Sequence, residues 1–446
     1  MPMPHIWLFA LFFFAAVPFT HVAAVIIPWK NMKMKHTWHG IPVNWETLGH
    51  PSAGSTIDLH IVLQPDQESV LIDAVSEISN PKHSRHVLLT IHPPNLHSHV
   101  PLLRYRYRAF LSKKQVDELV RPSQDTVELV GAWLAHNGIR SSSISMTHGG
   151  TWLTVTDLGV PQASQLLGAS YQLYRNVKTN ETIIRTVGYS LPEVLHRHVQ
   201  TVMPATCFSS MQVTVQTPHR RTFGPPPAHM QGALGKLGTV EARQPLPEPP
   251  IVKPEDLRWL YGTVSYVASA YHPGQNSLAV VGDHLPSQQD LTTFLDRYEK
   301  SANGATFNIQ NVDGIPLDLE ELPNERSNVA AQYATAMAFP TPLFVFRIVR
   351  TDEAFVELLH FLLNMQPVPR AVGISFNYFF EHDLPPPDAY YMCTLFKEFG
   401  ALGASVLVAS GDNGVGAEGC DTFDVEFPSS CTCNVYRPFQ SRHKHK

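Results

Sequence analysis

From Leu278 onward the chain alternates short apolar runs with amphipathic ones, and few folds accept that pattern. Leu278–Gly282 (LAVVG), Ala305–Val312, Leu343–Val349, Ala371–Phe376 and Ser405–Ser410 (SVLVAS) are predicted as strands. Between them, Ser287–Tyr298, Asn328–Ala338, Asp352–Asn364 and Asp388–Phe399 carry helical spacing. Strands that are apolar almost throughout are buried on both faces, which calls for a parallel sheet with helices on each side. The expectation is a doubly wound α/β domain whose ligand crevice opens at the carboxyl ends of the strands.

A different pattern precedes it. Pro225, Pro226, Pro227, Pro245, Pro247, Pro249 and Pro250 stand close together, with Gly232, Gly235 and Gly238 among them. Such a stretch holds no regular structure, so residues 216–254 are expected as an extended linker open to proteolytic maturation. Upstream, strands are expected at Thr56–Val62 (TIDLHIV) and Trp152–Thr156, and helices at Glu68–Ile78, Ser112–Val120, Thr126–His136 and Pro161–Leu167. Ser112 with Gln115 three residues on reads as a capping box, and Asn137-Gly138 as a helix stop. The mixture predicts an α+β domain over residues 45–215. His86–Phe110 has no clear period and reads as an inserted surface segment.

The first 24 residues read as a signal peptide, because the apolar run Ile6–Val17 is too short to span a bilayer and Val22-Ala23-Ala24 offers small residues for cleavage. The chain is thus expected to be secreted and extracellular, with no membrane helix. Asn180-Glu181-Thr182 is a glycosylation acceptor in that setting. With 43% hydrophobic and 16% charged residues the chain has material for a core, and its net charge of −5 gives no reason to expect nucleic acid. The 23 histidines are scattered, and no HExxH or Cys/His spacing points to a metal.

The last strand runs into Ser410-Gly411-Asp412-Asn413-Gly414. Glycines there bring Asp412 up at the sheet edge, where a protonated carboxyl would donate to a developing oxyanion. A turn aspartate bonding its own loop accounts for the string equally well. Of Cys207, Cys393, Cys420, Cys431 and Cys433, the odd count leaves at least one unpaired.

Long strings in order give the chain a specific resemblance. TIDLHIVLQP, LSKKQVDELV, THGGTWLTV, LLGASYQLYR and IRTVGYSLP in the first domain, with LRWLYGT, YATAMAFPTPLFVF and SVLVASGDNGVG in the second, resemble the sedolisin (serine-carboxyl peptidase) family, fungal tripeptidyl-peptidase-like, with a pro-kumamolisin-type activation domain. The resemblance implies that the activation domain masks a subtilisin-like α/β domain until cleavage in acid. It implies peptide or protein substrates, the chain's own propeptide as a partner, and calcium as cofactor of the complete family domain. It places Asp412 at the oxyanion-hole position and implies a Cys420–Cys431 disulfide.

The family's chemistry uses a Ser nucleophile, a Glu base and an Asp that orients the Glu. A carboxylate base still works in acid, where an imidazole is protonated. The Glu and Asp sit four apart on one helix, and the matching run here is Arg326-Ser327-Asn328-Val329-Ala330-Ala331-Gln332-Tyr333. The Glu position therefore holds Arg326 and the Asp position Ala330. Glu325 is one residue away, a rotation of about 100° on a helix. No SGTS-like nucleophile turn occurs, and after residue 433 the chain closes on a basic tail, 434–446, unlike a core strand. The peptidase domain, 255–433, is thus expected to be an incomplete doubly wound sheet without nucleophile or calcium site. Two functions follow: an acid-acting serine-type peptidase by ancestry, inactive as it stands, or a non-catalytic interaction protein or propeptide-type inhibitor.

Overall fold

Side-chain alternation on a single sheet decides how the two halves of the chain meet. The computed structural model describes residues 29–38, 40–79, 110–208, 251–266, 276–312, 323–348, 351–375, 379–381, 384–409 and 426–431. The expected signal peptide, the linker up to residue 250, the Asp412 turn, Cys420, Cys433 and the basic tail lie outside the described residues, as does the stretch from His86 to residue 109.

The first half holds β1 (Met32–Thr37), β2 (Trp45–Gly49), β3 (Thr56–Leu63), α1 (Glu68–Ser79), α2 (Lys113–Val120), α3 (Gln124–His136), β4 (Ile144–Thr147), β5 (Trp152–Gly159), α4 (Val160–Leu166), β6 (Gln172–Asn176), β7 (Thr182–Arg185), β8 (Gly188–Pro192) and β9 (Val199–Met203). Antiparallel pairing gives a four-stranded sheet in the order β4-β5-β3-β9, a three-stranded sheet β2-β6-β7 and the pair β1-β8. Strand β1 precedes the expected domain start at residue 45 and joins the domain through β8. Ser112 and Gln115 form the capping box that opens α2.

Strand side chains point alternately to opposite faces. Leu59, Ile61 and Leu63 of β3 pack with Leu153 and Val155 of β5 and Val202 of β9, over Trp133, Leu134 and Leu166. The alternate residues Val62, Trp152 and Met203 lie in a different cluster, with Phe355, Leu359, Tyr391 and Phe399 of the second half. The four-stranded sheet is therefore buried on both faces, one against its own helices and one against the second domain. This explains why Leu59–Leu63 and Val199–Met203 are buried without interruption.

The second half holds α5 (Pro254–Leu260), β10 (Leu278–Gly282), α6 (Gln288–Tyr298), β11 (Phe307–Asn311), α7 (Glu325–Ala338), β12 (Leu343–Arg347), α8 (Asp352–Asn364), β13 (Ala371–Ile374), β14 (Phe379–Phe380), α9 (Pro386–Ala401), β15 (Ser405–Val408) and β16 (Glu426–Phe427). Five strands pair in parallel in the order β11-β12-β10-β13-β15, the doubly wound sheet expected from the apolar runs. Helices α8 and α9 bury one face of that sheet through Leu358, Leu362, Leu395 and Phe399 against Val281, Phe346, Val372 and Ile374. The opposite face packs on α7 through Ala331, against Val280, Leu343 and Val345. Helix α9 stops at Gly403, whose φ of +78° suits glycine, and a Cβ there would lie 2.5 Å from the Phe110 ring.

The disulfide corrects an expectation. Cys431 bonds to Cys393 on α9, with a Cα–Cα distance of 5.5 Å, in place of Cys420. The bond ties the short antiparallel pair β14-β16 to α9. Among the described residues no helix is long and apolar enough to cross a membrane.

Candidate functional site

Two places gather chemistry-bearing side chains: the amino end of α7, where the family's acid pair is expected, and the seam between the domains. Helix α7 starts earlier than predicted, at Glu325, because the Asn324 side chain accepts from the Ser327 amide at 2.7 Å and caps it just after Pro323. Glu325 thus sits in the first turn and is exposed, as is Arg326. Ala330, four residues on from Arg326, packs against the sheet with Val280 and Val345. The anchors of this run have structural tasks. Asn328 accepts from the Ser287 amide at 2.7 Å and donates to Asp290 at 2.8 Å, which fixes the start of α6. The Tyr333 hydroxyl donates to the Val252 carbonyl. Neither Arg326 nor Ala330 has a side chain that takes a proton from a hydroxyl at any ordinary pH.

The carboxyl end of the central strand β10 carries a pair absent from the expectations. Asp283 Oδ1 lies 3.0 Å from His284 Nδ1, and the Asn324 amide approaches the same oxygen at 3.5 Å. The signal was the crevice rule itself, since Asp283 follows the strand at which the sheet's order reverses. Asp412 lies outside the described residues. Asn180 is exposed at the turn between β6 and β7, with φ +59°. Among the described residues no three His, Cys, Asp or Glu side chains are grouped to hold a metal ion.

The seam is polar where the sheet faces α8 and α9. His148 Nε2 stands 3.1 Å from Glu398 Oε1, both side chains essentially without solvent contact. The His148 ring stacks on His360 of α8 at 4.2 Å, and His360 Nε2 meets the Tyr391 hydroxyl at 2.8 Å. Trp152 meets His360 in a T-shaped contact at 4.9 Å and stacks on His60 at 4.6 Å, while His60 Nδ1 pairs with Thr154 at 3.0 Å. Burial pushes the His360 imidazole well below its ordinary value, helped by His148, His60 and Lys113. Burial also lowers His60, against the pull of Glu353 and Asp58.

Nearer the end of β7, Arg185 donates to the Cys207 carbonyl at 2.7 Å and to Glu353 at 2.8 Å, with Asp352 at 3.5 Å. Burial opposes the charge on this arginine, but Glu353 and Asp352 outweigh it and hold the guanidinium charged. Burial would likewise raise Glu353, yet Arg185 wins and keeps its carboxyl below the usual range. Asp352, fully buried and beside Glu353, goes the other way. Asp388 of α9 accepts from Thr201 of β9, and burial pushes it up to about 7. Sequence reasoning missed this cluster, although His60, His148, Trp152 and Arg185 all lie inside the strings TIDLHIV, THGGTWLTV and IRTVGY.

Comparison with known proteins fits this division of the chain. Residues 102–208 match the family described as Pro-kumamolisin, activation domain. The chain is 24% identical over 446 aligned residues to tripeptidyl-peptidase SED4 of Arthroderma otae, covering 93% of this chain and 66% of that protein. It is similarly 24% identical to a probable tripeptidyl-peptidase SED4 of Trichophyton verrucosum, again over 93% and 66%. Against tripeptidyl-peptidase SED2 of Arthroderma otae the figures are 23% identity over 92% and 67%. The chain spans just under two thirds of the length of the first two of these relatives. The resemblance carried by the sequence strings therefore has support: the chain is similar over most of its length to fungal tripeptidyl-peptidases, and residues 102–208 match a Pro-kumamolisin activation domain.

Proposed function

We propose that the chain is a secreted, propeptide-masked relative of acid-acting tripeptidyl-peptidases that has lost the acid pair its hydrolytic chemistry needs. The activation domain covers α8 and α9 through a buried face, and that burial supports its reading as a mask. The observation that carries the loss of chemistry is on α7, where the run aligned with the family's Glu and Asp supplies an exposed Arg326 and a core-packed Ala330. A cation at the base position repels the proton it would have to accept. Glu325 occupies the first turn, about 100° around the helix from that position. Peptides and proteins are the substrate class by relationship to tripeptidyl-peptidases, and calcium belongs to the complete family domain with no described residue assigned to it. The acceptor Asn180, exposed on its turn, would carry a glycan on secretion.

A second reading follows from the same observations. A domain that docks its activation domain yet lacks the acid pair would act as a non-catalytic partner or inhibitor of active relatives. Both readings meet one assay. The purified chain, incubated in acid with a chromogenic tripeptide substrate, is expected to give no turnover above the buffer. Turnover abolished by Glu325→Gln would overturn the proposal. Added to an active relative, the chain would slow that enzyme if the inhibitor reading is right and leave its rate unchanged if it is not.

A further inference from the structure

The seam holds two sets of titratable groups, and their proton preferences on closing are opposite. One set is His60 on β3 and His360 on α8, which face His148 beyond β4, Lys113 on α2, Glu357 on α8, Glu353 at the start of α8, Asp58 on β3, and Tyr391 and Glu398 on α9. The His360 ring is buried and stacked on His148 at 4.2 Å, which leaves no room for water to solvate a charge on it. Closing the seam therefore favours neutral His60 and His360.

The other set is Asp352 and Glu353 in the first turn of α8 and Asp388 on α9, facing Arg185 at the end of β7, Tyr189 on β8 and Thr201 on β9. Two carboxyls, Asp352 and Glu353, meet a single guanidinium here, and a third, Asp388, is buried nearby. Glu353 takes the shorter contact at 2.8 Å, while the Asp388 carboxyl accepts from the Thr201 hydroxyl. A carboxyl buried without a cation in contact is favoured in its protonated form.

We infer that the seam is a proton-compensated latch, in which closing releases protons from His60 and His360 and takes up protons on Asp388 and Asp352. The inference rests on the reading of the activation domain as a mask. The two histidines bind protons less well when closed, so they loosen the seam as pH falls below about 6.5. Asp388 binds its proton better when closed, so it tightens the seam as pH falls from about 7 towards its ordinary range, and Asp352 acts in the same direction. Each group contributes up to about tenfold per pH unit within its window, and the two sets largely cancel in mild acid. Glu353, held low by Arg185, adds a loosening that begins only below its ordinary value.

Hydrogen exchange of the full-length chain tests this. Rates at pH 7, 6 and 5, divided by intrinsic rates, give the opening constant from amides of β9 and α9, and amides of Leu153 and Val155 report whether the domain core is intact. Asp388→Asn keeps the shape and removes the titration, so its opening constant is expected to rise relative to wild type by about tenfold per pH unit on acidification. His360→Phe keeps a ring on the stack and should shift the opposite way by a comparable factor. Should that variant lose core protection, His60→Gln carries the same expected sign. Variants whose pH slopes all match wild type would overturn the latch and leave the mask standing. A wild-type seam whose amides exchange unprotected at pH 7 would overturn both.

Discussion

At the residue scale, Arg185 sets the energetics of the seam. Its guanidinium is buried, bonds to a backbone carbonyl on its own side and meets two carboxyls on the other. Removing it leaves Asp352 and Glu353 beside each other in a dry site, which costs far more than the net worth of the pair. Arg185→Met is expected to destabilise the chain by about 3–5 kcal/mol, read from the midpoint of chemical denaturation. A loss below about 1 kcal/mol would mean that the pair is solvated. The arginine stands in one of the strings that carry the family resemblance, yet nothing in the string tells it from a surface residue. Its partners are 168 residues away or nearly so, and only the folded sheet brings them together. The same holds for His148 and Glu398, 250 residues apart.

At the element scale, what was legible in the sequence follows from how each element is buried. The parallel strands are apolar throughout, so LAVVG is both the predicted and the observed strand, and Asp352–Asn364 is a helix over its predicted span. Strand β1 reads MKMKHT, and its short Met/Lys alternation is mostly exposed, too brief to stand out as a buried strand. Helix α7 gained a turn at its start because its cap is Asn324, an inference that Pro323 obscured. The cysteine pairing failed for a related reason. Cys393 lies inside an amphipathic helix, and only its rotation towards the loop holding Cys431 makes the bond. Capping was legible because it is local. Ser112→Ala should remove the cap of α2, whose Val116, Leu119 and Val120 pack in the seam cluster, and cost about 1 kcal/mol by thermal or denaturant unfolding. No measurable change would mean that tertiary packing alone holds that helix.

For the whole molecule, one sheet shared between two cores makes the activation domain and the α/β domain a single cooperative body. The cluster joining them draws Val62, Trp152 and Met203 from one side and Phe355, Leu359 and Phe399 from the other. Burial on that scale couples the global unfolding of the two parts, even though the core around Leu59, Ile61 and Leu153 belongs to the activation domain alone. Scanning calorimetry of the intact chain near neutral pH puts this to the test. One transition, with its two halves separating only in Arg185→Met, is the expected outcome. Two independent transitions in the wild-type chain, unmoved by Arg185→Met, would contradict it.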